Sequence, residues 1–243
     1  MGRTKSLREH DNAIVHFIVK RTRRLAVLFD LDGTLIDSIE LILNSARHAF
    51  AGRPGYVPDD AEWLSHVGTP LATTFQRYAR DEADVQALIA KYREYQLANH
   101  DRLTRAYESV VATLDRLRAT GHPLGIVTSK TGWLARRGLE HVGLGSHFDV
   151  IVGCDSCDLH KPDPGPVLFA LREMRRAPAE AVFVGDSVHD VFAGNAAGVT
   201  TIAALWGPFS RADLAASEPK HYLERISDLP ALLETLQTAG NSA

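Results

Sequence analysis

The chain has 243 residues, of which 45% are hydrophobic and 23% charged, and its formal net charge is -3 at pH 7. This composition is that of a globular protein with enough apolar material for one large domain or two smaller ones. The charge argues against nucleic-acid binding over the whole surface, and no apolar run is long enough to span a membrane. Two cysteines are too few for a disulfide framework, so we expect a cytoplasmic protein.

Residues 1–24 form an extension before the first strong strand pattern. Its many basic side chains are not interleaved with aromatic ones, which favours a solvated extension over an arm that binds nucleic acid or membrane. Its apolar run AIVHFIV, residues 13–19, has no signal-peptide cleavage site and could add an edge strand.

Five short runs have the composition of buried strands. They are LAVLF (25–29), PLGIV (123–127), FDVIV (148–152), AVFVG (181–185) and TTIAA (200–204). Amphipathic segments with helical spacing separate the last four runs. This alternation predicts an α/β fold, a doubly wound parallel sheet with helices on both faces, in which ligands bind beyond the carboxyl ends of the strands.

Residues 38–105 interrupt this alternation. They contain three helical patterns, IELILNSARHAF, PLATTFQRYARDE and DVQALIAKYREYQLANH, and the loop GRPGYVPDD at 52–60. We therefore expect a helical cap inserted after the first strand, of the kind that closes over an active site. The core is then discontinuous and consists of residues 25–37 and 106–243.

Charged and hydroxyl side chains follow four of the predicted strands, where a fold alone would need only turn residues. They are Asp30, Asp32, Thr128, Ser129, Lys161, Asp186 and Asp190. Carboxylates that converge on one edge of a sheet raise one another's pKa unless a cation lies among them. An oxygen-rich site of this kind suits Mg²⁺.

The same residue types suit phosphoryl chemistry. A lysine and a hydroxyl group bind a phosphate dianion, one carboxylate can attack phosphorus, and another can act as general acid and base. Gly33 and Thr34 bend the backbone, so that amides near Leu31 and Asp32 can donate to phosphate oxygens.

The segments FDLDGTLIDS, GIVTSK, HKPDP and VGDSVHD resemble the four ordered motifs of the haloacid dehalogenase (HAD) superfamily. The resemblance extends from about Leu25 to Leu236 and implies a Rossmann-like core. The helical insert is similar to the cap of the branch that contains phosphoglycolate phosphatases and β-phosphoglucomutases.

This resemblance implies a role for each motif residue. Asp30 would be the nucleophile and Asp32 the general acid and base. Mg²⁺ would be bound by the Asp30 carboxylate, the Asp32 main-chain carbonyl and Asp186, with Asp190 behind them or bound through water. Substrate and phosphate contacts would come from Thr128, Lys161, Leu31, Gly33, Thr34, Ser129 and the cap-loop residues Gly68 and Thr69. Arg47, on the first cap helix, is a candidate contact for a carboxylate or phosphate, and a surface arginine is the equal alternative.

The substrate is left open by these motifs. They favour a small phosphomonoester, first of all phosphoglycolate. Inorganic pyrophosphate is the alternative, because the fourth motif has a histidine, His189, before its last aspartate, as in the branch that includes pyrophosphatases. A phosphomutase is less favoured, and so is a phosphonate-cleaving enzyme, because the cap's one lysine, Lys91, is not on the first cap helix. An inactive binding module is disfavoured because Asp30, Asp32 and Lys161 are all present. We expect a monomer or homodimer with no nucleic-acid or membrane partner.

Other polar residues near the motifs have simpler interpretations. Lys130 is interpreted as a solvated side chain, and Ser38 as a hinge residue or helix cap. The pair Cys154 and Cys157 has no second pair of ligands nearby, which favours incidental thiols over a zinc or redox site.

Overall fold

A six-stranded parallel sheet lies at the centre of the computed structural model, which describes residues 24–240. The strand order is β5-β4-β1-β6-β7-β8. The strands are β1 (Ala26–Phe29), β4 (Leu124–Val127), β5 (Val150–Val152), β6 (Ala181–Gly185), β7 (Thr200–Ala204) and β8 (His221–Leu223). The predicted α/β fold is confirmed. The sequence patterns missed β8, which has three half-buried residues, and the run at 13–19 lies outside the described residues.

Helices cover both faces of this sheet. They are α5 (Val110–Ala119), α6 (Gly132–His141), α7 (Gly165–Glu173), α8 (Val188–Ala197), α9 (Arg211–Ala215) and α10 (Leu229–Gly240). Alternate residues of β1 point to opposite faces, so Val27 and Phe29 pack with α5, α6 and α10 while Ala26 and Leu28 pack with α7 and α8. Both faces are therefore apolar, and the polar residues collect at the strand ends.

Strand β1 lies between β4 and β6, and this position determines where a ligand-binding crevice forms. From β1 the chain crosses to β4 on one side and later to β6 on the other. A crevice forms at the carboxyl ends where the direction of winding reverses, and this is where open parallel sheets bind ligands. The motif loops after β1, β4 and β6 all open into this crevice.

A two-stranded ribbon joins the sheet to the helical insert. Strand β2 (Ile36–Asp37) pairs antiparallel with β3 (Arg105–Ala106), and the Arg105 guanidinium donates to Oδ2 of Asp37 at 2.6 Å. Between them lie α1 (Ile39–Phe50), α2 (Asp60–Ser65), α3 (Leu71–Gln76) and α4 (Glu82–Asn99). The ribbon lies at the two ends of residues 38–105, and the assignment of this segment as a cap domain stays a prediction.

The cap differs from its sequence pattern in two helices. The sequence did not predict α2, which begins where the Asp59 side chain accepts a hydrogen bond from the amide of Glu62. The second helical pattern is helical only over Leu71–Gln76, because Asp81 caps the start of α4 by accepting from the amide of Asp84. Within residues 24–240, no helix is both long and apolar enough to cross a bilayer.

Aromatic side chains form a separate small core inside the cap. The Trp63 ring lies 5.0 Å from the Phe75 ring and 5.8 Å from the Phe50 ring, measured between centroids. Tyr92 of α4 packs on the same cluster. Large rings in contact bury much area with few rotatable bonds, and this cluster therefore fixes the loop before α3 relative to α4.

Candidate active site

Three of the motif loops leave neighbouring strands at the same edge of the sheet. Asp30 follows β1, Thr128 follows β4 and Asp186 follows β6. Backbone pairing continues one residue beyond the strands, since the amides of Asp30 and Thr128 donate to the carbonyls of Val184 and Val152 at 2.9 Å. The side chains that the sequence predicted to converge therefore start from a rigid part of the sheet.

The loop after β1 folds back on itself. The Leu31 carbonyl, which is buried, accepts hydrogen bonds from the amides of Leu35 and Ile36 at 3.0 Å. Gly33 has a φ of +90°, and a Cβ at this position would lie 2.3 Å from Oδ2 of Asp186. Glycine is required here for the backbone conformation and for the close approach to the Asp186 carboxylate.

A buried lysine holds the predicted nucleophile. Nζ of Lys161 donates to Oδ1 of Asp30 at 2.7 Å, to Oδ1 of Asp190 at 2.5 Å and to the Val127 carbonyl at 3.2 Å. Oδ2 of Asp190 accepts from the amide and hydroxyl of Ser187 at 3.0 and 2.6 Å. The donors of Lys161 are therefore directed at protein oxygens, and the lysine orients the two carboxylates.

Asp186 has one oxygen without a donor. Oγ1 of Thr34 donates to Oδ1 of Asp186 at 2.6 Å, whereas Oδ2 is buried and has no hydrogen-bond partner among the described residues. Thr34 is itself fully buried, and its carbonyl accepts from Nε1 of Trp206 at 2.7 Å. Thr34, predicted to face phosphate, instead positions Asp186.

Burial and mutual repulsion shift the pKa values of this cluster. Burial raises the pKa of Asp30 to about 7, a rise that Lys161 opposes and Asp190 increases. Burial, followed by the charges of Asp30 and Asp190, raises the pKa of Asp186 well above its ordinary value. Burial alone would lower the pKa of Lys161, but Asp190 and Asp30 raise it above its ordinary value. The cluster carries more negative charge than its one lysine balances.

These carboxylates fit a divalent cation. Ligand oxygens of Asp30, Asp186 and Asp190 lie within 4.8 Å of one another. Three carboxylates beside the ammonium of Lys161 leave two negative charges, which Mg²⁺ would balance. Among residues 24–240, no hydrogen-bond donor contacts Oδ2 of Asp30 or Oδ2 of Asp186, so both oxygens are available to bind it, whereas both oxygens of Asp190 already accept hydrogen bonds. The contribution of the Asp32 carbonyl stays a prediction.

Two residues that the sequence did not mark as functional hold Asp32. Oδ1 of Asp32 accepts from Oγ of Ser38 at 2.5 Å and from Nζ of Lys130 at 2.6 Å. The Lys130 side chain is only 6% exposed, so its interpretation as a solvated lysine was wrong. Its place two residues after Thr128, at the same strand end, was the available signal. Ser38 stands at the N-cap position of α1, but its hydroxyl binds Asp32 and not the helix.

A cavity of about 90 Å³ lies between the sheet edge and the cap. Its core side is lined by Asp30, Asp32, Thr128, Ser129 and Lys130. Its cap side includes Trp63, His66, Gly68, Thr69, Tyr92, Arg93 and Gln96. A space of this size suits a small substrate beside the two aspartates of the first motif.

Arg93 brings a positive charge to the cap side of the cavity, and the sequence did not reveal it. The pattern that predicted α4 rests on its apolar positions, such as Leu88 and Tyr92, and Arg93 lies beside this stripe. Its Nη1 donates to Oε1 of Gln96 at 2.5 Å, and Gln96 is 3% exposed. The spacing of three residues between Arg93 and Gln96 was the one available signal, and it belongs to no motif.

The cap loop before α3 touches the core. Oγ of Ser129 donates to the Gly68 carbonyl at 2.5 Å. Gly68 has a φ of +99°, and a Cβ there would lie 2.8 Å from Oγ of Ser187. Thr69 donates to the His66 carbonyl at 2.7 Å. The structure thus brings Gly68 and Thr69 to the cavity, and Ser129 binds the cap loop there.

Two other cap residues lie away from the cavity. Arg47, predicted as a contact for a carboxylate or phosphate, is exposed, and its Nε donates to Asp60 at 3.0 Å. Its Nη1 donates to Asn44 at 2.7 Å. Because Asp60 opens α2 and binds the guanidinium on the cap surface, the structure does not bring Arg47 to the site. Lys91 is exposed on α4.

The two cysteines are free thiols. Oδ1 of Asp155, between them, accepts from the amide of Gly132 at 2.7 Å at the start of α6. Burial and the charge of Asp155 raise the pKa of the Cys154 thiol, which makes it less reactive. Neither thiol belongs to a group of three metal-binding side chains within the described residues.

The chain is similar to known proteins over most of its length. The family model described as haloacid dehalogenase-like hydrolase matches residues 27–204. Pyrophosphatase PpaX of Bacillus velezensis is 41% identical over 208 residues, covering 85% of this chain and 95% of that protein. Pyrophosphatase PpaX of Bacillus cereus is 38% identical, covering 86% and 96%. A crystal structure described as a predicted phosphatase from Clostridium acetobutylicum has a TM-score of 0.77 and 29% identity, covering 87% of this chain and 99% of that one.

Proposed function

Because the chain belongs to the haloacid dehalogenase-like hydrolase family, we propose that it is a Mg²⁺-dependent phosphatase whose substrate is inorganic pyrophosphate. One observation carries the proposal: Asp30 lies at the carboxyl end of β1, is held by Lys161 and lines the cavity under the cap. The motifs alone favoured phosphoglycolate. The similarity to proteins named pyrophosphatase, at 38% to 41% identity, supports pyrophosphate instead.

In the first step, a carboxylate oxygen of Asp30 attacks one phosphorus atom of pyrophosphate. The bond from that phosphorus to the bridging oxygen breaks, and the other phosphate leaves with the bridging oxygen and its electrons. Lys161 lowers the pKa of Asp30 against the effect of burial and so favours the ionised nucleophile. The hydroxyl of Thr128, which lines the cavity, is available to donate to an oxygen of the transferred group.

In the second step, water hydrolyses the aspartyl phosphate. Asp32 takes a proton from the attacking water, the bond between phosphorus and the Asp30 oxygen breaks, and phosphate and the free carboxylate are restored. Ser38 and Lys130 hold Oδ1 of Asp32 and fix the direction of its carboxylate. The cap over the cavity limits the access of water to the first step.

Asp30 and Asp186 would bind Mg²⁺ directly, and Lys161 connects Asp190 to Asp30. When bound, Mg²⁺ neutralises the excess carboxylate charge and stabilises the charge that develops on the phosphoryl oxygens.

The proposal is tested with a substrate panel in the presence of Mg²⁺ and of a chelator. We expect kcat/KM for pyrophosphate to exceed that for phosphoglycolate and for a hexose phosphate by about tenfold or more, as for a site that discriminates leaving groups. We expect no phosphate release with chelator. A higher kcat/KM for phosphoglycolate than for pyrophosphate would contradict the substrate assignment while leaving the phosphatase assignment in place.

We also propose a cytoplasmic location, supported by the two free cysteines. A monomer or a homodimer is proposed for the assembly, and light scattering on the purified full chain distinguishes the two.

A further inference from the structure

We propose that Arg93, on α4 of the cap, binds the negatively charged leaving group of the substrate and thereby determines specificity. For pyrophosphate this group is the phosphate that departs when Asp30 attacks the other one. The inference rests on the proposed function, because it takes the cavity under the cap as the substrate site.

The position of Arg93 is the first argument. It lines the same cavity as Asp30 and Asp32 but enters from the opposite side, on the cap. Among the lysines and arginines of residues 24–240, Lys130 also lines this cavity, and its ammonium is already bound to Asp32. A leaving group placed on the cap side, away from Asp30, would therefore meet the guanidinium of Arg93.

The missing counter-ion is the second argument. Four other arginines of residues 38–105 pair with carboxylates: Arg47 with Asp60, Arg53 and Arg80 with Asp84, and Arg105 with Asp37. Within residues 24–240, no carboxylate lies within 4.0 Å of the Arg93 guanidinium, which is partly buried. Removing a cation from water without a counter-ion is unfavourable. A bound anion would supply the missing charge.

The orientation of the side chain is the third argument. Nη1 of Arg93 donates to the amide oxygen of Gln96, which is buried and lies one turn further along α4. A neutral acceptor holds the guanidinium in place without cancelling its charge. The remaining donors of the planar fork match two oxygens of a phosphate or a carboxylate.

The charge of the ligand determines which substrates should depend on Arg93. About 90 Å³ beside Asp30 has room for a small anion on the cap side. Phosphate and the carboxylate of glycolate share the chemistry that Arg93 recognises, whereas the leaving group of an aryl phosphate has no carboxylate or phosphate to bind. Substrates with and without this charge therefore separate the role of Arg93 from that of the core residues.

The test compares Arg93→Gln, Arg93→Lys and the control Lys91→Gln in the full chain with Mg²⁺. Lys91→Gln removes the same charge from the same helix at an exposed position outside the cavity. We measure kcat/KM for pyrophosphate, phosphoglycolate and p-nitrophenyl phosphate, and melting temperatures show that each variant is folded.

For Arg93→Gln we expect kcat/KM for pyrophosphate to fall about 10- to 100-fold, the loss of one charge-assisted interaction, with less than about a threefold change for p-nitrophenyl phosphate. Arg93→Lys keeps part of the activity, and Lys91→Gln matches the wild type. An unchanged kcat/KM for pyrophosphate in Arg93→Gln, or an equal loss for all three substrates, overturns the inference.

Failure of the proposed function gives a different result. A wild-type enzyme that cleaves p-nitrophenyl phosphate and phosphoglycolate but not pyrophosphate refutes the pyrophosphatase assignment. The Arg93 inference is then decided on phosphoglycolate: a selective loss for that substrate supports it, and an equal loss for phosphoglycolate and p-nitrophenyl phosphate overturns it.

Discussion

The core edge and the cap contribute to the same cavity in different ways. At the core edge, the side chains of Asp30, Lys161 and Asp190 are at most 7% exposed and bind one another directly. On the cap side, the guanidinium of Arg93 donates to the amide oxygen of Gln96, and the carbonyl of Gly68 accepts from Ser129 of the core. We therefore expect the chemistry to depend on a buried network and selectivity to depend on a few separable contacts. Changes in the core should therefore affect all substrates equally, and changes in the cap should distinguish among them.

The largest effect is expected for Asp30→Asn. Because an amide cannot form the aspartyl phosphate, kcat should fall by about 10⁴-fold or more for every substrate, as when other enzymes lose their nucleophile. Phosphate release from pyrophosphate and from an aryl phosphate measures this loss. Appreciable activity in this variant, on either substrate, would remove Asp30 as the nucleophile.

The next effect concerns the metal. Because burial raises the pKa of Asp30 to about 7 and also raises that of Asp186, protons compete with Mg²⁺ below neutral pH. Mg²⁺ affinity should therefore increase as pH rises through about 7, with protons released on binding. The rise in melting temperature on adding Mg²⁺ measures this affinity at each pH. At a Mg²⁺ concentration of a hundred times Kd, binding adds about 2.7 kcal/mol to the free energy of unfolding. In Asp186→Asn, Mg²⁺ should no longer raise the melting temperature. If Mg²⁺ raised it as much as in the wild type, Asp186 would not be a ligand of the metal.

Lys130→Met tests the support of Asp32. Without the ammonium, the carboxylate keeps only the hydroxyl of Ser38, so kcat should fall about 10- to 100-fold with little change in KM, on all substrates alike. Steady-state kinetics on pyrophosphate and an aryl phosphate gives both constants. If only KM for pyrophosphate changed, Lys130 would bind the substrate and would contribute to selectivity, as proposed for the cap residues.

Gly68→Ala tests the contact between cap and core. A Cβ at this position meets Oγ of Ser187 at 2.8 Å, so the loop must move, and we expect kcat/KM to fall about tenfold or less, the effect of about 1 kcal/mol. Gly55→Ala is the matched control, because Gly55 also has a positive φ, +102°, but nothing lies within 4 Å of the added methyl group. Equal losses in the two variants would attribute the effect to backbone strain alone.

The smallest effect concerns the stability of the cap. The Arg80 amide and side chain, followed by Arg53, lower the pKa of Asp84 from 3.8 to about 2. A carboxylate with a lowered pKa stabilises the folded state above its unfolded pKa, and this contribution is lost as pH falls through the folded value. The melting temperature of Asp84→Asn should therefore lie slightly below that of the wild type at neutral pH. The difference should shrink as pH falls from about 4 to about 2, and a constant difference would contradict the assignment.

The core edge was largely predictable from the sequence, for a physical reason. Asp30, Thr128 and Asp186 each follow a short apolar run, and parallel strands bring such positions together whatever their separation along the chain. What the sequence could not supply was the direction of each side chain. Thr34 donates to Asp186 and Lys130 donates to Asp32. Several donors and acceptors lie close together at this edge of the sheet, so the sequence alone does not show which donor pairs with which carboxylate.

The cap was less predictable because its site residues follow no strand. The apolar stripe of α4 indicates which face is buried, but a cationic residue beside that stripe can face solvent or a cavity. Arg47 and Arg93 are both arginines on cap helices, and Asp60 binds the first on the surface while Gln96 holds the second at the cavity. The residue that binds each guanidinium determines whether the arginine lies on the surface or at the cavity. Which residue is in reach depends on how the helices pack.

Trapping the aspartyl phosphate shows whether Asp30 carries the phosphoryl group. In Asp32→Asn the base for the second step is missing, so pyrophosphate and Mg²⁺ should leave Asp30 phosphorylated after an acid quench. We expect one phosphoryl group per chain, found by mass spectrometry on the peptide that contains Asp30. A phosphoryl group on another residue, or none in a variant that still releases a burst of phosphate, would contradict it.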